Sequence, residues 1–301
     1  MNIISGSSNY SLAKKIAEKL GSTLIDAELS TFANGERRVW VKDLAAVRGK
    51  TVAIVQSFSY PADEHILETL IIADALERLG VKEIFLIIPW MGYSLQDKVF
   101  RPGEAIAAKV VADIISGSSI DRVMLLDLHN TSIPAFFSIP AYHLSAEELF
   151  IGHLQKNLDL KNAVIVSPDF GGLKRSKSFA AKLGLPLLNI DKSRDLSTGE
   201  VFSHAVHGGS VENKDVFVLD DVIVSGGTVV TSSKLLKDEG ARSVTFLATH
   251  GIFCENGLAK ILDSVADRII ISNSIAHEEE NSKLEILDLS SLFAELLKSW
   301  S

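Results

Sequence analysis

The chain has 301 residues, 47% of them apolar, enough for two α/β domains of ordinary size or one large one. Acidic residues outnumber basic ones by 38 to 30, and the net charge of −8 with a pI near 5.5 argues against nucleic acid as the main partner. The one cysteine, Cys254, excludes an internal disulfide framework and a Cys-based zinc cluster, and no apolar run approaches the ~20 residues that span a bilayer.

The first residues, MNIISGSSNYSLAKK, start apolar but carry no basic region ahead of a signal-like stretch, so a cytoplasmic protein without a membrane partner is expected. Residues 30–41 (STFANGERRVWV) hold Asn34 and Gly35 between strand-like flanks, a strong hairpin signal. Phe32 would lie near the base of that hairpin, where an exposed aromatic suits stacking on a base or on another subunit; a plain surface hairpin fits the same residues. A strand at 49–57, an amphipathic helix at 62–80 and a strand at 81–89 follow. Residues 88–115 then pass from strand to amphipathic helix through a polar loop with Gln96, Asp97, Lys98 and Arg101, which reads either as a nucleotide or phosphate contact or as a solvated loop. The apolar run 122–130 ends in Asp127, Leu128 and His129. Strand alternation would put Asp127 and His129 on one side, where they can hold a divalent metal or contact a phosphate; a structural histidine is the other reading.

The second half repeats the theme. Residues 164–184 run from a strand into Asp169, then Gly171, Gly172 and a helix with Lys174, Arg175 and Lys177. Asp169 suits hydrated Mg²⁺, which takes one or two carboxylates plus substrate phosphates, and the basic residues read equally as a solvated helix face. Residues 189–201 (NIDKSRDLSTGEV) are polar and small, as in a mobile flap whose cations, Lys192 and Arg194, close over a transferring phosphoryl group. Val216 to Leu219 form an uninterrupted apolar strand that ends in Asp220 and Asp221, and Val224, Ser225, Gly226, Gly227 and Thr228 lead into a helix. Carboxylates at a strand's carboxyl end can take a sugar diol, and small residues feeding a helix N-terminus can take a phosphate. An ordinary strand-to-helix turn is the alternative.

The order at 49–89 recurs at 213–251: a Lys-led strand, a loop, a helix ending in Gly80 or Gly240, and a further strand. A weaker echo pairs 142–150 with 287–297. The expected fold class is α/β: two similarly built domains related by internal duplication, 1–143 and 144–301, each a mostly parallel sheet flanked by helices.

Taken in order, these stretches resemble the ribose-phosphate pyrophosphokinases. The resemblance runs from Phe32–Glu36 through Gln96-Asp97, Arg101–Glu104, Asp127–His129, Ser167–Gly172 and Asp191–Arg194 to Asp220–Thr228, essentially the whole chain. It implies two phosphoribosyltransferase-like halves and transfer of the β,γ-diphosphoryl group of ATP to the anomeric hydroxyl of ribose 5-phosphate, giving phosphoribosyl diphosphate and AMP. It further implies Mg²⁺ held by His129 and Asp169, with Asp127 beside them. Lys192 and Arg194 match the catalytic flap. Asp220 and Asp221 match the ribose-hydroxyl ligands, and the loop from Val224 to Thr228, together with Arg194, matches the 5-phosphate side. Phe32, Asn34, Gly35 and Glu36 match a hairpin that reaches the adenine of a neighbouring subunit's ATP, which implies a homodimer or larger homo-oligomer; Gln96, Asp97 and His129 would complete the ATP contacts. Three positions depart from the pattern: Leu95 stands in place of an Arg, Asn34 of an Asp, and Val224 of an Asp. The rival readings are a phosphoribosyltransferase, which would share the sugar-phosphate loop but not the first half, and a non-catalytic regulatory relative, which Leu95 favours and Lys192 and Arg194 oppose.

Overall fold

A computed structural model describes residues 1–194, 201–278 and 281–300, with the backbone alone for 192–194 and 201–204. The first elements in chain order are β1 (Asn2–Ser5), α1 (Tyr10–Leu20), β2 (Ala27–Thr31), β3 (Arg37–Val41), β4 (Thr51–Val55), α2 (Ala62–Arg78), β5 (Glu83–Ile88), α3 (Ala107–Ser116), β6 (Arg122–Leu126) and β7 (Ala141–Leu144). Then come α4 (Glu147–Asn157), β8 (Ala163–Ser167), α5 (Leu173–Leu183), β9 (Leu187–Arg194), β10 (Val201–His207), β11 (Asp215–Ile223) and α6 (Gly227–Asp238). The chain closes with β12 (Ser243–Gly251), α7 (Gly257–Leu262), β13 (Arg268–Ser272), β14 (Leu284–Leu287) and α8 (Ser290–Ser299).

The central strands are apolar end to end because helices cover both faces: Val52 to Val55, Ile84 to Ile88 and Val164 to Val166 are all buried. The helices instead bury one stripe, as α2 does with Ile66, Thr69, Ile72, Ala73 and Leu76. Gly80 (φ 78°) ends α2 in a left-handed turn, with the Val81 N–H donating to Leu76 O (3.2 Å) and the Gly80 N–H to Glu77 O (2.9 Å). Gly240 (φ 86°) ends α6 with the same pair of bonds, from Ala241 to Leu236 and from Gly240 to Lys237.

Among the described residues, the first sheet is parallel with strand order β1-β4-β5-β6-β7. The second has the order β10-β9-β8-β11-β12-β13-β14, with β10 the antiparallel edge. The run β8-β11-β12-β13-β14 repeats β1-β4-β5-β6-β7 strand for strand, so the duplication heard in the sequence is present in the topology. The copies differ where β2 and β3 form a hairpin of their own, whereas β9 and β10 extend the main sheet.

The chain divides into two compact units, Met1–Ser145 with Asn273–His277 and Asp288–Ser301, and Ala146–Ser272 with Glu278–Leu287. A single cut at 143/144 therefore fails at the carboxyl end: α8 groups with the first unit. Its buried stripe, Phe293, Ala294 and Leu297, serves that core, and the Trp300 ring stands edge-on to Phe85 (5.5 Å) and 4.4 Å from Tyr142.

Candidate active site

In the first unit, β2 and β3 pair in register from Ala27↔Val41 to Thr31↔Arg37. The turn closes with the Phe32 N–H donating to Glu36 O and the Gly35 N–H to Phe32 O, both at 2.8 Å. Gly35 supplies the left-handed φ of 89°, and the Asn34 Oδ1 accepts the Glu36 N–H at 3.2 Å. Phe32, Asn34, Gly35 and Glu36 are all exposed, and Phe32 presents 53% of its surface. An apolar ring held out in this way is available to a ligand or to another chain.

The loop after β5 places Leu95 and Gln96 at the surface and buries Asp97. Its Gln96 O accepts the Ala108 N–H (3.2 Å), tying the loop to the first turn of α3. Asn130 donates through Nδ2 to the Asp97 Oδ2 at 2.6 Å, which joins this loop to the residue following His129. Here one expectation fails. β6 ends at Leu126, and Asp127 takes a positive φ of 36°, so the alternation that would set Asp127 and His129 on one side does not operate. Asp127 is buried and its N–H donates to Leu144 O (2.9 Å), while His129 is exposed. The Nε2 of His143 accepts the Leu128 N–H at 2.9 Å and fixes the bend from the next strand.

In the second unit, β11 runs on to Ile223 beside β12, but its pairing with β8 stops at Val218. Strands lie to either side of the β8–β11 seam in opposite connection senses, the switch point at which α/β sheets open a crevice. Asp220 and Asp221 stand on that unpaired edge. The carboxyl of Asp220 is raised well above its ordinary range, first by burial, then by its hydrogen bond to the Asp221 carboxyl and the charges of Asp221 and Asp169. Arg175 answers the pair, with Nη1 at 3.5 Å from Asp221 Oδ1. Asp169 is exposed after β8, and its Oδ1 accepts the Gly172 N–H at 2.9 Å.

Directly after β11, Asp220, Val222 and Ile223 line a cavity of ≈ 110 Å³ together with Val224, Ser225, Gly226, Gly227, Thr228 and Val229. Gly226 sits at φ 79° before α6, where a Cβ would come 2.7 Å from Ile261 Cγ1 and 3.0 Å from Gly257 O. The small residue is thus required on two counts, conformation and space. The first N–H groups of α6 have no acceptor inside the helix, and a helix N-terminus of this kind suits an anion. The sequence brought these residues out as one site, and the fold keeps them together.

Lys192 and Arg194 lie on β9, opposite His204 and Val201 of β10, so the expected flap is rooted on an antiparallel hairpin. Their side chains, and residues 195–200 of the flap, lie outside the described residues. Among the described residues, no three His, Cys, Asp or Glu side chains gather as a metal cluster. Asp127 and His129 belong to the first unit and Asp169 to the second. Arg175 and Asn130 were not singled out as site residues from the sequence. Arg175 occupies the first turn after Gly171-Gly172 and Asn130 the position after His129, which were the signals available.

Two family descriptions match the chain. "N-terminal domain of ribose phosphate pyrophosphokinase" covers residues 1–118, and "Phosphoribosyl synthetase-associated domain" covers residues 204–300. A ribose-phosphate pyrophosphokinase of Aquifex aeolicus is 36% identical over 300 residues, 99% of this chain and 95% of that protein. One from Fusobacterium nucleatum is 38% identical over 297 residues, 98% of this chain and 93% of that protein. The crystal structure of phosphoribosylpyrophosphate synthetase from Mycobacterium smegmatis superposes with a TM-score of 0.91 at 31% identity, covering 99% of this chain and 98% of the other.

Proposed function

The chain belongs to the ribose-phosphate pyrophosphokinase family, and from that premise we propose that it transfers the β,γ-diphosphoryl group of ATP to the anomeric hydroxyl of ribose 5-phosphate. The new bond joins the C1 oxygen to the β-phosphorus, the bond from the β-phosphorus to the α,β-bridging oxygen breaks, and AMP leaves. The observation that carries this reading is the cavity after β11, where a carboxylate and a phosphate cradle share one wall. Asp220 and Asp221 accept from the ribose hydroxyls, and the 5-phosphate enters the loop Val224–Thr228 at the N-terminus of α6. The resemblance also assigns Arg194 to the 5-phosphate.

On the ATP side, Phe32 stacks on the adenine with Asn34, Gly35 and Glu36 around it, in the active site of a neighbouring subunit. The protein therefore works as a homodimer or larger homo-oligomer. Gln96, Asp97 and His129 meet the nucleotide within the subunit. Mg²⁺, when bound, supplies positive charge against the β- and γ-phosphates. In the second unit Asp169, an exposed carboxylate with one oxygen already oriented by the Gly172 N–H, would suit a hard cation that keeps most of its waters, and in the first unit the resemblance gives cation contacts to His129 and Asp127. The resemblance assigns Lys192 to the charge that develops in the transition state, which an ammonium can neutralise. These local cations answer the net charge of −8. Leu95 removes a guanidinium from the nucleotide side, at a cost of roughly 1.5–3 kcal/mol in ATP binding if it is not compensated. Family membership over the full length sets aside a phosphoribosyltransferase. The remaining alternative, a regulatory relative, rests on Leu95 alone. Among the described residues no helix is long and apolar enough to cross a membrane, and a cytoplasmic enzyme is the working assignment.

AMP release from ATP and Mg²⁺ is expected only when ribose 5-phosphate is present, and Lys192→Ala is expected to lower turnover by about a hundredfold or more while ribose 5-phosphate still binds. Release of ADP in place of AMP, or near-normal turnover in the variant, would overturn the assignment.

A further inference from the structure

One buried carboxylate in the first unit is not used by this chemistry. Glu68, on α2, is 1% exposed. Its Oε1 accepts from the Ser7 N–H and from Gln56 Nε2, both at 2.7 Å. Gln56 is itself fully buried at the end of β4, and its Oε1 accepts from the Ser8 N–H (3.0 Å) and hydroxyl (2.7 Å). The packing is close enough that a Cβ on Gly6 would fall 2.2 Å from the Gln56 amide. The other oxygen of Glu68, Oε2, has no hydrogen-bond donor. It faces the guanidinium of Arg37, whose Nη1 lies at 3.8 Å. The same guanidinium donates through Nη2 to Glu64 Oε2 at 2.6 Å, one turn earlier on α2, and through Nη1 to Thr31 Oγ1 at 3.4 Å. Arg37 is the first residue of β3, immediately after the turn that carries Phe32 to Glu36.

A buried carboxylate demands a counter-charge, and a planar fork that serves two carboxylates at once fixes direction as well as distance. We infer that Arg37 is a positioning residue for the nucleotide: its contacts with Glu64 and Glu68 set the angle at which the β2–β3 hairpin leaves the first unit, and so where Phe32 arrives at a neighbouring subunit's ATP. The inference rests on the hairpin reading given above, that its tip serves a site in trans. Arg37 touches no reacting group. Its effect falls on ATP recognition, and the ribose 5-phosphate site and the chemical step are left alone.

Steady-state kinetics of Arg37→Gln are expected to show KM for ATP raised roughly tenfold or more, the size of effect that a misplaced contact produces, with kcat and KM for ribose 5-phosphate nearly unchanged. Arg37→Lys keeps the charge but loses the fork and is expected to recover only part of the deficit. Should Arg37→Gln fold poorly because Glu68 is left unpaired, the double variant Arg37→Gln/Glu68→Gln removes that charge while keeping an acceptor for Ser7. It is expected to regain thermal stability and still bind ATP weakly. A variant that loses stability but keeps the wild-type KM for ATP overturns the inference.

The decisive arm mixes subunits. Oligomers co-assembled from Arg37→Gln and Lys192→Ala chains contain sites that pair an intact hairpin with an intact flap, so activity at low ATP should exceed that of either parent. No recovery there, while a Phe32→Ala with Lys192→Ala mixture does recover, overturns the role given to Arg37. No recovery in either mixture overturns the reading of the hairpin as acting in trans, and the inference with it.

Discussion

Asp220 occupies an environment that an ionised carboxylate resists, with burial, Asp221 and Asp169 all favouring its protonated form. Its folded pKa therefore lies above the ordinary 3.8, and the folded chain holds a proton that the unfolded chain gives up. The stability contributed by that proton is complete below the unfolded value and is lost as pH rises through the folded one. Asp220→Asn does not titrate, so its melting temperature is expected to gain on the wild type as pH rises above 3.8 and to level off beyond the folded pKa. In exchange, the loss of the carboxyl's hydrogen bonds should raise KM for ribose 5-phosphate by about two- to tenfold, the equivalent of roughly 0.5–1.5 kcal/mol. Parallel melting curves for the two proteins across pH, followed by calorimetry, would contradict the protonated Asp220. Arg175 stands opposite, with its guanidinium facing Asp221, and the pair thereby presents one carboxyl inclined to hold a proton and one beside a cation.

At the scale of elements, the loop from β11 to α6 depends on backbone geometry more than on any side chain. Gly226→Ala places a methyl in the left-handed region and against Ile261 and the Gly257 carbonyl, at about 1–3 kcal/mol for the conformation before the clash is counted. The variant is expected to lose ribose 5-phosphate affinity by at least tenfold in titration calorimetry while ATP binding persists. Gly152→Ala, on α4 with nothing within 4 Å of the new methyl, is the control and should behave as wild type. Unchanged ribose 5-phosphate binding in Gly226→Ala would remove the cradle from the account. This loop and the β2–β3 hairpin were legible in the sequence because both are local: Asn34-Gly35 dictates a turn, and Ser-Gly-Gly-Thr after an apolar strand dictates another. The bend at Asp127 was not legible, since an apolar run does not say where its strand stops. Nor were the ties that link one loop to another. Asn130 and Asp97 are 33 residues apart, and only the parallel order of β5 and β6 brings their loops together. Arg175 reads as part of a solvated basic face until the β8–β11 seam puts it beside Asp221.

At the scale of the whole molecule, the repeated strand order accounts for the likeness of residues 49–89 and 213–251, and the copies diverge at one position in the repeat. Where the first copy detaches β2 and β3 as a hairpin, the second keeps β9 and β10 in the sheet, with Lys192 on β9 paired to His204. The echo between 142–150 and 287–297 is likewise structural, since each stretch is a strand feeding a helix, β7 to α4 and β14 to α8. The sequence could not tell where those helices go, because an amphipathic stripe announces that a face is buried without naming its partner. Each helix leaves the unit of the strand before it: α4 groups with the second unit and α8 with the first. The proposed function for this chain is diphosphoryl transfer from ATP to ribose 5-phosphate, with the hairpin and the Gln96-Asp97 loop of the first unit assigned to ATP and the Asp220 cavity of the second to the sugar phosphate. The measurement that tests this most directly is phosphorus NMR of the protein with ATP, Mg²⁺ and ribose 5-phosphate. The account predicts that ATP resonances give way to AMP and to a diphosphate attached to the anomeric carbon. An unchanged spectrum with ATP and with other nucleoside triphosphates, inorganic phosphate being present, would contradict it and leave the chain a non-catalytic relative.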